Sequence, residues 1–261
     1  MTAPRRSPAA AILLAAGRGS RMRGAVDDKV LTPLAGQPVF AWTLAAFVAA
    51  GVVERFVTVY RDEAQRRALA RVFRSSAARA YPVTWVRGGV ERQHSVHHAL
   101  EALPPEVGQV YIHDCARPLV HPESLRALAT ALARDAAACL AHRVTDTIKQ
   151  LPAGATDAVN RRLRTVDRSR LWAMETPQAF ARPLIAEAYL AVHRRNLAMT
   201  DDASALELAT RHGVTLVENP YPNPKLTTPA DLAWAEFLLR ERSAVSDQRS
   251  DARRAKRPTG P

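Results

Sequence analysis

The sequence predicts an α/β fold, a mainly parallel sheet covered by helices on both faces, with one β-hairpin arm projecting from it. Three observations carry this. Short apolar runs at residues 10–14, 55–60, 82–86, 109–113 and 136–144 alternate with stretches long enough to be crossover helices. The loops carrying the candidate ligand-binding residues follow the runs ending at 14, 86 and 113, the carboxyl ends of strands where ligands of such sheets bind. The rhythm breaks once, at 145–171, where the polar runs TDTIKQL and RRLRTVD flank PAGATDAVN. We therefore expect a single Rossmann-like domain over residues 9–242, an arm at about 145–171, and disordered tails at 1–8 and 243–261.

Taken in order, the apolar run 10–14 is the first strand. Residues 38–50 form an Ala-rich helix closed by Gly51 as a C-cap. RFVTVY at 55–60 is a strand and 63–73 a helix with a charged outer face. The run 82–86 is stopped by Gly88 and Gly89, and 91–103 is helical. QVYIH at 109–113 leads into DCARP, followed by a helix at 122–134 and a strand at 136–144. The 145–171 stretch is too polar for a core strand pair. A lone two-stranded projection is marginal in water, so its most economical use is to pack on a second subunit in a two-fold homodimer. Beyond it, 183–194 is helical and Thr200 is placed as N-cap of a helix opening with Asp201 and Asp202. A strand at 214–218, a Pro-rich loop and a last helix capped by Thr228 with Pro229 in its first turn complete the chain.

The stretch LLAAGRGSRMRGAVDDK (13–29) organises the rest. Gly17 and Gly19 permit a tight turn whose main-chain N–H groups can face phosphate oxygens, and Arg21 and Lys29 add positive charge. It is not a P-loop, lacking the Gly-Lys-Ser/Thr ending, and it lacks the third glycine of the dinucleotide fingerprint.

Composition narrows the class. A hydrophobic fraction of 47% with 24% charged residues can bury a core, and two cysteines, Cys115 and Cys139, give no disulfide framework. No apolar run reaches the ~18 residues of a membrane span, and the run after Arg5 and Arg6 passes straight into GRGSRM rather than a cleavage site. We expect a cytoplasmic protein without membrane partners. Much of the formal charge of +12 sits in the tails, leaving about +7 for the body, and no nucleic-acid-binding motif accompanies it. His94, His97 and His98 lack the spacing of a metal site. Only four of the 37 basic residues are lysines: Lys29, Lys149, Lys225 and Lys256. Where arginine is used almost everywhere, Lys29 and Lys225 point to sites that require a compact ammonium acting as a point charge on phosphate.

Eight motifs fall in order: LAAGRGSRM (14–22), GGVERQHSV (88–96), HDCARP (113–118), TDT (145–147), VDR (166–168), TPQAF (176–180), TDDAS (200–204) and NPKLT (223–227). In this register, over about residues 10–239, the chain resembles the methylerythritol phosphate cytidylyltransferases of isoprenoid precursor synthesis. The resemblance implies transfer of a cytidylyl group from CTP to a polyol phosphate with release of pyrophosphate. Such a reaction needs no activated protein nucleophile, because the attacking phosphate oxygen is already anionic. The resemblance places Arg21, Lys29 and Lys225 around the triphosphate as catalytic residues. It sets the main chain of Ala15, Ala16 and Gly17, with Gly19 and Cys115, beside the nucleotide, and Gly89 with Ser95 at the cytosine edge. Asp114, Arg117 and Thr200 would hold the acceptor's hydroxyls, while Thr147 and Arg168 of the arm would bind its phosphate in the neighbouring subunit. Mg²⁺ would bind through phosphates and water, with no protein ligands.

The chain departs from the family pattern in two places. Asp28 stands where proline usually precedes the loop lysine, one residue further from Arg21, and His94 stands where an acid is frequent. A ribitol phosphate cytidylyltransferase is the nearest alternative, and a catalytically silent nucleotide-binding relative is another. Intact Arg21, Lys29 and Lys225 argue against the silent form.

Overall fold

The computed structural model describes residues 7–17, 19 and 27–255, with only the backbone of the closing helix described over 243–255. The chain opens with strand β1 (Ala9–Leu14), a small hairpin of β2 (Pro33–Leu34) and β3 (Gln37–Pro38), and helix α1 (Val39–Ala50). Then come β4 (Arg55–Tyr60), α2 (Glu63–Ser75), β5 (Val83–Arg87), α3 (Arg92–Glu101), β6 (Gln109–Asp114), α4 (Pro122–Leu132) and β7 (Ala137–Arg143). The arm carries β8 (Lys149–Gln150) and β9 (Arg164–Thr165). After it follow β10 (Trp172–Ala181), α5 (Arg182–Arg194), α6 (Asp202–Ala209), β11 (Thr215–Glu218) and α7 (Pro229–Ala255).

Seven strands form one sheet in the order β11-β7-β10-β6-β1-β4-β5, and β10 runs antiparallel to both its neighbours while the other pairs are parallel. The mainly parallel sheet is as expected; β10 is the addition, a strand of buried polar side chains (Glu175, Thr176, Gln178) that no apolar run announces. It pairs back along β7, Trp172 opposite Arg143 and Phe180 opposite Ala137. The arm is thus the overhanging end of a β7–β10 hairpin, its tip pairing Lys149 with Thr165 and Gln150 with Arg164.

Strand alternation divides the core. Ala9, Ala11 and Leu13 of β1 face a cluster with Phe40, Leu44 and Phe47 of α1, Leu69 and Phe73 of α2 and Leu125 and Leu128 of α4. Ala10 and Ile12 face the other side, where Val96 and Ala99 of α3, Ile185 and Tyr189 of α5 and Leu206 of α6 pack. This period of two with helices on each face is the three-layer arrangement the sequence predicts. One local reading is corrected. The N-cap of α6 is Asp201, whose carboxylate accepts from Ser204 N at 3.0 Å; Thr200 precedes it. Gly17 has no left-handed backbone, which Gly19 has at φ 62°. Helix α7 continues to Ala255.

Candidate active site

Leaving β1, the chain visits β4 and β5 on one side and then crosses to β6 on the other, so the strand order reverses between β1 and β6. Leu14 and Asp114, the last residues of these two strands, are paired in register, and Cys115 N donates to Leu14 O at 3.1 Å. The crevice beyond a reversal is where such sheets bind ligands. A cavity of about 800 Å³ opens there, lined by Ala15, Ala16, Gly17, Lys29, Gly88, Gly89, Ser95, Asp114 and Lys225 among others. Lys29 and Lys225, 196 positions apart in sequence, line the same cavity.

Each side of the cavity is built by a different device. A Cβ at Gly17 would meet nothing among the described residues within 4 Å, so glycine here leaves room in the cavity. At the turn after β5 the glycines are sterically required. A Cβ at Gly88 would stand 2.7 Å from Ala16 Cβ, and one at Gly89 2.3 Å from His94 Cβ. Gly88 N donates to Tyr60 O at 2.7 Å, Gly89 N donates to Ser95 Oγ at 3.0 Å, and Ser95 Oγ donates to Glu91 O at 3.2 Å. Ser95 therefore fixes the glycine turn from the first turn of α3.

The floor is a chain of alternating charges. Lys225 Nζ donates to Asp114 Oδ2 at 2.5 Å, and Arg92 Nε donates to Asp114 Oδ1 at 3.1 Å. Arg92 then forks onto Asp202, Nη1 to Oδ1 at 2.8 Å and Nη2 to Oδ2 at 2.7 Å, while the Tyr189 hydroxyl donates to Asp202 Oδ1 at 2.5 Å. Asp202 is wholly buried. Burial pushes the Asp114 carboxyl upward, but the charges of Arg92 and Lys225 outweigh it and hold the group well below the usual carboxylate range. Asp114 is thus ionised, each of its oxygens accepting from one cation. Sequence reasoning missed Arg92 and Asp202 as site residues. Both lie inside quoted motifs, ERQHS and TDDAS, but only the fold joins them.

The atypical acid before Lys29 is structural. Asp28 Oδ2 accepts from Gln65 Nε2 at 2.7 Å and from Arg61 Nη2 at 3.2 Å, Oδ1 accepts from Val30 N at 3.1 Å, and its carbonyl accepts from Thr32 Oγ1 at 2.9 Å.

Other expected site residues stand apart from the cavity wall. Cys115 is fully buried, and burial pushes its thiol well up. Arg117 reaches instead for main-chain oxygens, donating to Asn223 O at 2.7 Å and Met174 O at 3.4 Å. Its reach to Asn223 braces the loop that carries Lys225. Thr200, Thr147 and Arg168 are exposed, the last two on the arm, where Arg168 donates to Thr145 O. Arg21 lies outside the described residues. Behind Asp114, His113 is sealed in the core: burial lowers its pKa to about 4. Its Nε2 meets Arg117 O at 3.1 Å and its Nδ1 meets Thr176 Oγ1 at 3.1 Å. A carbonyl can only accept, so Nε2 carries the proton and Nδ1 accepts from the threonine. Among the described residues no group of three or more His, Cys, Asp or Glu is arranged to hold a metal ion.

Residues 9–241 match the family model described as IspD, 2-C-methyl-D-erythritol 4-phosphate cytidylyltransferase. A protein of that name from Synechococcus elongatus is 43% identical over 237 residues, spanning 88% of this chain and 96% of its own. One from Pelotomaculum thermopropionicum is 41% identical over 233 residues, 89% and 94% of the two chains. The crystal structure of the enzyme of that name from Thermus thermophilus superposes with a TM-score of 0.68 at 27% identity, covering 88% of this chain and 98% of its own. The 4-diphosphocytidyl-2C-methyl-D-erythritol synthase of Anaerococcus prevotii shares the fold, with a TM-score of 0.77 at 24% identity over 90% and 99% of the chains.

Proposed function

This chain belongs to the 2-C-methyl-D-erythritol 4-phosphate cytidylyltransferase family, and we propose that it runs that reaction in the cavity between β1 and β6. It transfers the cytidylyl group of CTP to methylerythritol phosphate. An oxygen of the acceptor phosphate bonds to the α-phosphorus, the bond from that phosphorus to the bridging oxygen breaks, and pyrophosphate leaves with the electron pair. Both reactants are anions, so the protein's task is to align them and neutralise the charge that develops.

The observation that supports this reading is one cavity holding Lys29, Lys225 and the Ala15–Gly17 main chain together with the Gly88–Gly89 turn. In this reading Lys29 and Lys225, with Arg21, take the triphosphate, and Ala15, Ala16, Gly17 and Gly19 meet the nucleotide. The Gly89–Ser95 unit meets cytosine, where a purine is too large and a mismatched hydrogen-bonding edge leaves polar groups unpaired. Asp114 faces the acceptor's hydroxyls, and Arg117 and Thr200 are assigned to the same hydroxyls by the family motifs. Asp114 already accepts from two cations, and with no three-donor set among the described residues the donor chemistry suits Mg²⁺ arriving on phosphates and water. The ion, when bound, supplies further charge neutralisation. The arms pair two copies, bringing Thr147 and Arg168 of each to the other's acceptor. Two buried, unpaired cysteines suit a reducing compartment, which supports a cytoplasmic location.

Pyrophosphate release measured with CTP, UTP, ATP and GTP, each against methylerythritol phosphate and ribitol phosphate, tests the assignment. CTP with methylerythritol phosphate is the expected pair. Preference for ribitol phosphate, or for another nucleotide, would overturn it.

A further inference from the structure

The turn carrying Lys29 is fixed by an amide that does not itself line the cavity. Gln65, in the first turn of α2, is 3% exposed and makes three side-chain hydrogen bonds. Its Oε1 accepts from Arg61 N at 2.7 Å, and its Nε2 donates to Ala15 O at 3.0 Å and to Asp28 Oδ2 at 2.7 Å. One carboxamide thus joins the loop after β1, the turn at residues 27–32 and the entry to α2. Asp28 completes the brace. Beyond Gln65 it accepts from Arg61 Nη2 and Val30 N through its side chain, and from Leu31 N, Thr32 N and Thr32 Oγ1 through its carbonyl. Lys29 lies between two residues so held, and Ala15 and Lys29 line the same cavity.

We propose that Gln65 and Asp28 are positioning residues that set Lys29 against the nucleotide phosphates through this set of hydrogen bonds. The proposal rests on the reading of Lys29 as a triphosphate contact. No other side chain of this size serves. Leucine at 65 leaves Ala15 O and Asp28 Oδ2 without this donor, and glutamate there sets one carboxylate against another.

Steady-state kinetics on Gln65→Leu, Lys29→Ala and the double variant test it, with KM for CTP, KM for acceptor and kcat read separately. Misplacing a contact by about 1 Å can cost ~100-fold, so Gln65→Leu should raise the CTP KM by about tenfold or more. The acceptor KM should stay within about twofold, and in the Lys29→Ala background the same change should add less than about twofold. Asp28→Ala, which cuts the brace from its other end, should reproduce the pattern and keeps the test alive should Gln65→Leu fail to fold. An unchanged CTP KM in folded Gln65→Leu and Asp28→Ala, or an equal loss in both backgrounds, would overturn the positioning role. If Lys29→Ala alone leaves the CTP KM unchanged, the reading of Lys29 fails, and the positioning role fails with it.

Discussion

Lys225 Nζ lies 2.5 Å from Asp114 Oδ2, binding the loop before α7 to the carboxyl end of β6. Arg92 takes the other oxygen at 3.1 Å, so Asp114 stays ionised and Lys225 is held at the cavity before any substrate enters. A charge fixed in advance needs little reorganisation when the transition state forms.

Lys225→Ala should therefore fold and lose turnover by at least ~100-fold, the scale of one preorganised contact to developing charge. Lys225→Arg should recover little, because a planar fork does not replace a compact ammonium at this distance. Kinetics on variants with native melting curves decide the matter, and near-native turnover of the alanine variant would refute the role.

Arg92 should matter first for stability. Arg92→Ala leaves wholly buried Asp202 with only Tyr189 and its helix end, and stripping one partner from a buried pair costs about 3–5 kcal/mol. Asp202→Asn in the same chain should return part of that loss, since no buried charge is then left unpaired. Urea unfolding of both singles and the double measures it; strictly additive losses would show that the pair is not coupled.

Gly88→Ala puts a methyl 2.7 Å from Ala16 Cβ and 3.1 Å from Ser95 Oγ. The loop after β1 or the glycine turn must shift, and we expect the CTP KM to rise by about tenfold or more. Ala16→Gly removes the first of those contacts and should restore part of the affinity. If the double variant is no better than Gly88→Ala, the close approach of the two loops is not what matters.

These predictions separate what the sequence displays from what it conceals. The parallel strands were legible because each is a short apolar run, and the ligand loops because they follow strand ends. Lys29, Asp114, Gly89, Ser95 and Lys225 then share a cavity for that reason. Strand β10 was not legible: Glu175, Thr176 and Gln178 are polar and buried, each satisfied by partners distant in sequence, so no apolar run marks it. Arg92 and Asp202 were hidden for a related reason. A charged residue in a motif looks solvated until the fold sets another charge, 110 positions away, against it. The cap of α6 was misplaced by one because Thr200, Asp201 and Asp202 are all cap-forming types, and the reciprocal bond with Ser204 selects Asp201.

His113 should make the protein acid-sensitive within a definite window. Its pKa is lowered from 6.5 to about 4 by burial, so between those values the unfolded chain binds more protons than the folded one. Stability is then complete above about pH 6.5 and falls as pH drops toward 4, by up to about 3 kcal/mol at 1.36 kcal/mol per unit. His97 and His121, also lowered chiefly by burial, add to the same slope. Urea midpoints at pH 7, 6 and 5 should decline for the native chain and flatten in His113→Asn. Parallel slopes would remove His113 as the cause.

The arm offers the last test, because its own ladder is short. The β8–β9 ladder pairs two residues on each side, and Leu163 and Val159 are 48% and 77% exposed beside it. Two-stranded projections of this kind are marginal alone, and in the proposed dimer a two-fold contact with a second copy would cover the apolar side chains of both arms at once. Replacing residues 152–163 by a short Gly-Ser turn should give a monomer in analytical ultracentrifugation, with the acceptor KM raised and the CTP KM little changed. Arg168→Ala should leave the dimer intact and raise the acceptor KM alone, because its contact would be with the acceptor phosphate and not with the partner. A native chain that sediments as a fully active monomer would rule out both, since Arg168 would then have no second cavity to reach.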